Sequence, residues 1–379
     1  MIFGQGDKIR PALFIVKIPR PRMNSTEIRI ERANIRNIVS HQTSGSELGD
    51  GQALLEIEGF ALTANNVTYA ATGDVIGYWK FFPTLDQMNG IVPVWGFAKV
   101  VQSNSPLLDV GARLYGFYPM ANHMVILPEQ RGASYVVDAS DHRRELPPVY
   151  NAYQRVGETT VNDDAMKSIF FPLLITSYLL FDFLEDNAWF GAEQIIIGSA
   201  SSKTGLGLCK YLAEARPNGP KVIGLTSHGN RGFVEGLGAC DQVVTYNDIA
   251  TQIENVPSVY VDMAGNAKVR SALHTHLADH MLHSAAVGTS HWDKFEPTGD
   301  LPGARPRFFF APSQIEKRRA DWGPGEIEKR LEKAWHRVAK DSTNWMQITV
   351  SEGFEQAIQI YLDIADGKVA PDQGHYIRL

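Results

Sequence analysis

Cysteine is nearly missing from this sequence: 379 residues include only Cys209 and Cys240. Two thiols exclude a disulfide framework and a four-cysteine zinc site, and they fit a reducing cytoplasm. An excess of positive charge is missing too. The formal net charge is −6, with no Lys/Arg block and no RNA-binding type of aromatic run, so the chain offers no electrostatic footprint for nucleic acid. A clean membrane-length apolar run is also lacking. The longest candidate, residues 168–184 (SIFFPLLITSYLLFDFL), contains Pro172, Thr176, Ser177 and Asp182 and reads as a buried helix of a soluble domain. The N-terminal stretch MIFGQGDKIRPALFIVKIPRPR has basic residues but neither the apolar core nor the cleavage site of a signal peptide. What is present is an ordinary globular balance, 44% hydrophobic and 21% charged, over a length that suits two domains.

The first part of the chain is strand-like. Residues 53–61 (ALLEIEGFA) partly alternate, with Leu55, Ile57 and Gly59 against Glu56 and Glu58. Short apolar segments at 91–101, 112–118 and 123–127 are broken by Gly and Pro, as in a small β-rich barrel or sandwich. Near residue 165 the rhythm changes. A helix at 166–183 leads to an apolar strand at 194–197, a helix at 205–215 and a strand at 221–225. A short helix at 231–237 follows, then strands at 241–245 and 258–262, a helix at 267–277, a strand at 281–287 and a last one at 307–310. Strands alternating with helices mean βαβ units and a parallel sheet, and QIII and SVYV are apolar on both faces, as a covered sheet requires. The tail adds a charged helix at 325–338, a strand at 344–350, an amphipathic helix at 351–366 and a final strand at 375–379. The strands at 281–287 and 307–310 offer edges through which a homodimer would pair.

A strand, a tight small-residue turn and a helix form an anion site, because the helix N-terminus presents unpaired N–H groups. Here the strand ends at Ile197, the turn runs over 198–204 and the helix starts near Gly205. Ser199, Ser201, Ser202, Lys203, Thr204 and Gly205 become candidate ligands of a dinucleotide pyrophosphate. Gly198, Gly205 and Gly207 do not give G-x-G-x-x-G spacing, and Lys203 occupies part of the turn. The competing reading is a helix capped by Ser201 or Ser202 with no ligand. A nucleoside-triphosphate loop is disfavoured, since the first glycine and the glycine before the lysine are missing. After the second strand, where an NAD-binding domain places Asp or Glu for the ribose, the chain reads SHGNR. Ser227, Asn230 and Arg231 suit a 2′-phosphate instead, so the expected cofactor is NADP(H); an incidental surface Arg is the alternative.

With these segments in view, the layout resembles the medium-chain dehydrogenase/reductase superfamily, in its zinc-independent quinone/enoyl reductase branch. The resemblance spans almost the whole chain. It rests on residues 53–74 (ALLEIEGFALTANNVTYAATGD), 90–101 (GIVPVWGFAKVV), 109–117 (DVGARLYGF), 175–184 (ITSYLLFDFL), 195–213 (IIIGSASSKTGLGLCKYLA), 237–248 (LGACDQVVTYND) and 374–379 (GHYIRL). Departures include Lys203 and Thr204 where the family loop has Gly-Val, and no Cys where the zinc-dependent branch has its first ligand, so no metal is expected. The segments ALTANNVTYA, GYWKFFP and SSKTG also resemble a bacterial family called domain of unknown function 2855, or DUF2855. The resemblance implies an α/β fold in two parts. A Rossmann-type doubly wound parallel sheet spans 166–311, and a β-rich GroES-like catalytic domain is built from 1–165 and 312–379. A small-molecule substrate would sit between them.

The chemistry so implied is hydride transfer from a nicotinamide to an activated C=C, in an enone, an enoyl thioester or a quinone-like substrate. Thr63, Asn66 and Tyr69 fall in the loop that faces the nicotinamide in similar enzymes; Tyr69 is a candidate proton donor and Asn66 a candidate carbonyl holder. Packing and backbone capping are the plainer roles for them. Tyr78, Trp79 and Phe82 are candidates for an apolar pocket, or equally for core. Tyr246, Gly288 and Thr289 are candidate cofactor contacts, and His291 a gate residue. His274, His276, His280 and His283 cluster without the context of a metal motif. Two other functions remain open: a carbonyl or alcohol oxidoreductase, and a non-catalytic NADP(H)-binding sensor or structural protein.

Overall fold

The computed structural model describes residues 24–45, 47–215, 218–287 and 301–379. Gly288, Thr289 and His291 lie outside the described residues.

The first lobe opens with two strands, β1 (Asn24–Glu31) and β2 (Asn34–Ser44), which pair antiparallel. Then come β3 (Ala53–Leu62), α1 (Ala64–Ala71), β4 (Asn89–Ile91), β5 (Pro93–Ser103) and β6 (Arg113–Pro119). The short β7 (His123–Ile126), β8 (Pro128–Arg131), β9 (Tyr135–Asp138) and β10 (Ala152–Val156) complete it. Neighbours on β3, β5, β6, β10, β9 and β8 pair antiparallel, and their inward residues, from Leu55 to Val136, form one core. The stretch carrying Thr63, Asn66 and Tyr69, expected as a loop, is helix α1. Its local sequence explains this: Thr63 Oγ1 accepts from the Asn65 amide and Asn66 Oδ1 accepts from the Thr63 amide at 2.7 Å, a reciprocal cap that starts a helix.

Helix α2 (Val161–Asp186) carries the chain into the second lobe. By length and composition it could cross a membrane. In the fold it is the central helix, packed on β3, β5 and four helices, with Asp164 and Asp182 buried against Arg113 and Arg318. The second lobe then alternates: β11 (Gln194–Gly198), α3 (Lys203–Glu214), β12 (Lys221–Thr226), α4 (Arg231–Gly236), β13 (Gln242–Thr245) and α5 (Ile249–Gln252). It continues with β14 (Ser258–Asp262), α6 (Ala267–Leu277), β15 (Met281–Ala286) and β16 (Pro306–Phe308). All pairings are parallel, in the order β13-β12-β11-β14-β15-β16. Counted from β11 this is 3-2-1-4-5-6, the doubly wound order, which reverses between β11 and β14. Strand β15, expected as a free edge, is paired on both sides, leaving the three-residue β16 at that edge.

Two helices follow, α7 (Ala311–Trp322) and α8 (Glu326–Ser342), and both pack on α2. Their Ile315, Ile327 and Leu331 share a core with Ile195, Ile197 and Val259 of the parallel sheet. The chain rejoins the first lobe only with β17 (Gln347–Glu352), α9 (Gly353–Ala365) and β18 (Gln373–Arg378), where β18 pairs with β3.

Candidate functional site

A cavity of about 560 Å³ opens where the two lobes meet. Its floor is the carboxyl edge of the parallel sheet: Ser199 follows β11, Met263 follows β14, and Val287 follows β15. The strand-order reversal lies there, which is where open α/β sheets bind ligands.

One wall is the start of α3. The helix begins at Lys203, two residues before the expected Gly205, because Ser202 caps it by accepting from the Gly205 amide at 3.1 Å. The amides of Lys203 and Thr204, in the first turn, have no intrahelical acceptor. Two glycines let the loop close. A Cβ on Gly205 would stand 2.6 Å from the Ser199 carbonyl oxygen, and one on Gly207 would stand 2.6 Å from Ser177 Oγ on α2. Ser199 itself has a φ of 52°, a left-handed conformation uncommon outside glycine, and its Oγ lies 3.3 Å from the Tyr246 hydroxyl. Ser201 Oγ accepts from Thr226 Oγ1 and from Asn230 Nδ2, both at 3.1 Å, which ties the loop to the end of β12. Ser199, Ser201, Ser202, Lys203, Thr204 and Asn230 all line the cavity. Ser227 and Arg231 do not. Arg231 is paired with Glu235, one helical turn on, at 2.7 Å.

Lys203 reaches across the seam. Its Nζ donates to the Gln373 carbonyl oxygen at 2.8 Å, at the start of β18. Burial pushes its pKa down to about 8, and Asp372 only partly opposes this. The neighbouring His375 also lines the cavity. Both its ring nitrogens are buried without a partner, and burial, then the Lys203 charge, lowers its pKa.

The opposite wall is aromatic. Tyr69 and Tyr78 lie with ring centroids 4.3 Å apart and their planes tilted by 38°, and Tyr150 meets Tyr78 edge-on at 6.0 Å. Trp95 and Phe171 continue the wall, and Phe308 lines the cavity from the end of β16. Asn65 Nδ2 donates to the Tyr69 hydroxyl at 3.2 Å, while burial holds the Tyr69 pKa well above that of a free phenol. Tyr150 and Trp95 are lining residues that sequence reasoning missed. Trp95 falls in the segment 90–101 quoted for the resemblance and Tyr150 in none, and only the pairing of β5 with β6 and the turn before β10 bring them to Tyr69.

Other candidates sit elsewhere. Asn66 is buried and spends its amide on the Pro93 carbonyl and the α1 cap, so its hydrogen-bonding capacity is directed into the scaffold. Trp79 and Phe82 belong to the core of the first lobe and do not line the cavity. The Trp79 indole lies under Gly73 and Gly90, where any Cβ would stand within 2.5 Å of it. The four histidines are separately engaged. His276 bonds the Ile253 carbonyl, His280 bonds Asn255, His274 bridges Pro302 and Ser284, and His283 stacks on Phe190. Among the described residues no group of three metal-binding side chains assembles.

Solved structures share this architecture over nearly their whole length. CurA from Vibrio vulnificus, in complex with NADPH, is 12% identical with a TM-score of 0.60, covering 93% of this chain and 98% of its own. The quinone oxidoreductase from Coxiella burnetii is 13% identical with a TM-score of 0.57, covering 94% and 100%. A mutant form of the enoyl thioester reductase from Candida tropicalis is 10% identical with a TM-score of 0.55, covering 94% and 100%. At such identities the likeness establishes the fold, a Rossmann-type sheet joined to a GroES-like lobe. No curated protein sequence matches. The sequence does match the family described as protein of unknown function (DUF2855) over residues 60–370, a span that runs from β3 to the loop before β18 and takes in both walls of the cavity. The chain belongs to the DUF2855 family.

Proposed function

We propose that the protein is an NADPH-dependent oxidoreductase that reduces an activated C=C bond of a flat, uncharged substrate. The observation that carries this reading is the cavity itself, with an anion-binding helix start on one wall and hydroxyl-bearing aromatics on the other. The first wall fits a dinucleotide. The α3 amides of Lys203 and Thr204, the Ser201 and Ser202 hydroxyls and the Lys203 ammonium would hold the pyrophosphate, and the tight turn at Gly205 keeps them close to the end of β11. No acidic side chain follows β12 to claim a ribose 2′-hydroxyl; Asn230 in the cavity, with Ser227 and Arg231 beside it, suits a 2′-phosphate. CurA was crystallised with NADPH, and the names of the other two structures describe a quinone and an enoyl thioester reductase.

When bound, the cofactor supplies a hydride. The chain's own part is to orient the substrate and to supply a proton and donors for the developing enolate charge. Tyr69 is the proposed proton donor, with Thr63 beside it, and Tyr78 and Tyr150 give a planar substrate an aromatic surface to lie against. Lys203 is the one Lys or Arg among the described lining residues, and it starts α3, the helix proposed to hold the cofactor. A quinone-like or aryl enone substrate therefore suits the wall better than an anionic thioester.

The test is NADPH oxidation against quinones, aryl enones and enoyl thioesters, alongside titration with NADPH and NADH. We expect tighter NADPH binding and turnover of the flat neutral substrates. Tight NADPH binding with no turnover of any of them would instead identify a non-catalytic binder.

A further inference from the structure

Behind Tyr69 lies a second, water-sized space of about 10 Å³, bordered by Trp95, Tyr69, Ser168 and Pro172. Its walls hold polar groups with nothing to bond. Ser168 is 2% exposed and its Oγ has no hydrogen-bond partner. This is unusual within α2 itself, where Thr176 and Ser177 donate to the carbonyls four residues back, Pro172 and Leu173. Trp95 Nε1 is likewise buried and unpartnered. It lies near enough to the Tyr69 oxygen to ease its ionisation yet makes no hydrogen bond with it. The third deficit comes from the sequence. Pro172 is four residues after Ser168 and has no N–H, so the helical bond that the Ser168 carbonyl would accept is deleted. Two unpartnered side-chain groups and a carbonyl short of its helical bond thus belong to residues that border one water-sized space beside Tyr69. Buried polar groups are rarely left unpaired, and a water with two to four partners is the usual solution.

We propose that this space is a binding site for a single ordered water, held by Trp95 Nε1, Ser168 and the Tyr69 oxygen, that orients the Tyr69 hydroxyl toward the main cavity. The water accepts from Trp95 and donates to Tyr69. The Tyr69 oxygen then accepts from both the water and Asn65, so its own proton points to the substrate side. Trp95 and Ser168 are positioning residues in this arrangement. The orienting role rests on the reading of Tyr69 as proton donor; the water site does not.

Crystal structures of the parent, Trp95→Phe and Pro172→Ala proteins test the site without any substrate. The expected result is a water within hydrogen-bond distance of Trp95 Nε1 and Ser168 in the parent. It is lost from Trp95→Phe, which removes the donor, and from Pro172→Ala, which returns an N–H to the Ser168 carbonyl. A parent structure with no water there overturns the site, whatever the protein's activity. The orienting role is read from the kinetics of Trp95→Phe. We expect kcat to fall on the order of tenfold, part of what a positioned acid contributes, with KM unchanged and a larger solvent isotope effect. A water present in the parent and lost from Trp95→Phe with no change in kcat or isotope effect overturns that role. Turnover of no substrate by the parent would instead defeat the reductase reading and leave the crystallographic result standing.

Discussion

At Tyr69 opposing influences meet. Burial disfavours the phenolate, while the Asn65 amide stabilises it. Tyr69→Phe removes the proton and little volume, so it should lower kcat by about 100-fold with KM nearly unchanged; an unchanged kcat in steady-state assays would remove Tyr69 from the chemistry. Lys203 makes a pH-dependent prediction. With its pKa near 8 in the free protein, binding a cofactor phosphate at higher pH must first return a proton to the amine. NADPH affinity should weaken by up to about tenfold per pH unit above that value, and Lys203→Gln should bind more weakly with a flatter profile. Calorimetric titration across that range checks it, and a flat parent profile would contradict it. The stability sign is the reverse. The unfolded chain holds this proton up to about 10.5, so the free protein should gain stability as pH rises from about 8 toward that value. Both residues are singled out by the sequence, but not their partners: Lys203 reads there as a candidate pyrophosphate ligand, and its bond to Gln373 spans 170 positions of chain.

Among the elements, α2 joins the others. Its contact with α3 is close because Gly207 has no side chain. Gly207→Ala would drive a Cβ to 2.6 Å from Ser177 Oγ and 2.7 Å from Leu174, and should cost about 1–3 kcal/mol of stability. Urea unfolding measures this. At the other end of α2, Arg113 on β6 binds both Asp164 and Glu58, nearly buried. Arg113→Leu would leave Asp164 buried without its cation and should cost about 3–5 kcal/mol by the same measurement. Some elements were hard to read from sequence for the same kind of reason. The buried face of α7 carries Gln314 and Arg318, both bonded to Asp182, so its apolar periodicity is weak. Strand β2 is largely exposed and shows no alternation.

Over the whole molecule, the cavity is shared by the two lobes and by the returning tail, which contributes Pro371, Gln373 and His375. A dinucleotide bound there contacts only the folded, assembled state. NADPH at about 100 times its Kd should therefore stabilise the protein by about 2.7 kcal/mol, with NADH giving less at the same concentration. Thermal unfolding with each nucleotide reads this directly, and equal shifts would count against a 2′-phosphate preference.

The sequence by itself determined the alternation of strand and helix, the apolar strands β11 and β14, and a phosphate-loop position between a strand and a helix. These are local signals: side-chain periodicity and chain-breaking residues act over a turn or two. The tertiary structure alone decided which aromatics face the cavity. Trp79 turns inward because Gly73 and Gly90 leave room for its indole, while Trp95 reaches Tyr69 through the pairing of β5 with β6 and Tyr150 through the turn before β10. It also decided that Lys203 spans the seam and that Ser168 and Trp95 border one space beside Tyr69. Such facts depend on contacts between distant parts of the chain, and packing, which fixes them, leaves no periodic trace in the sequence.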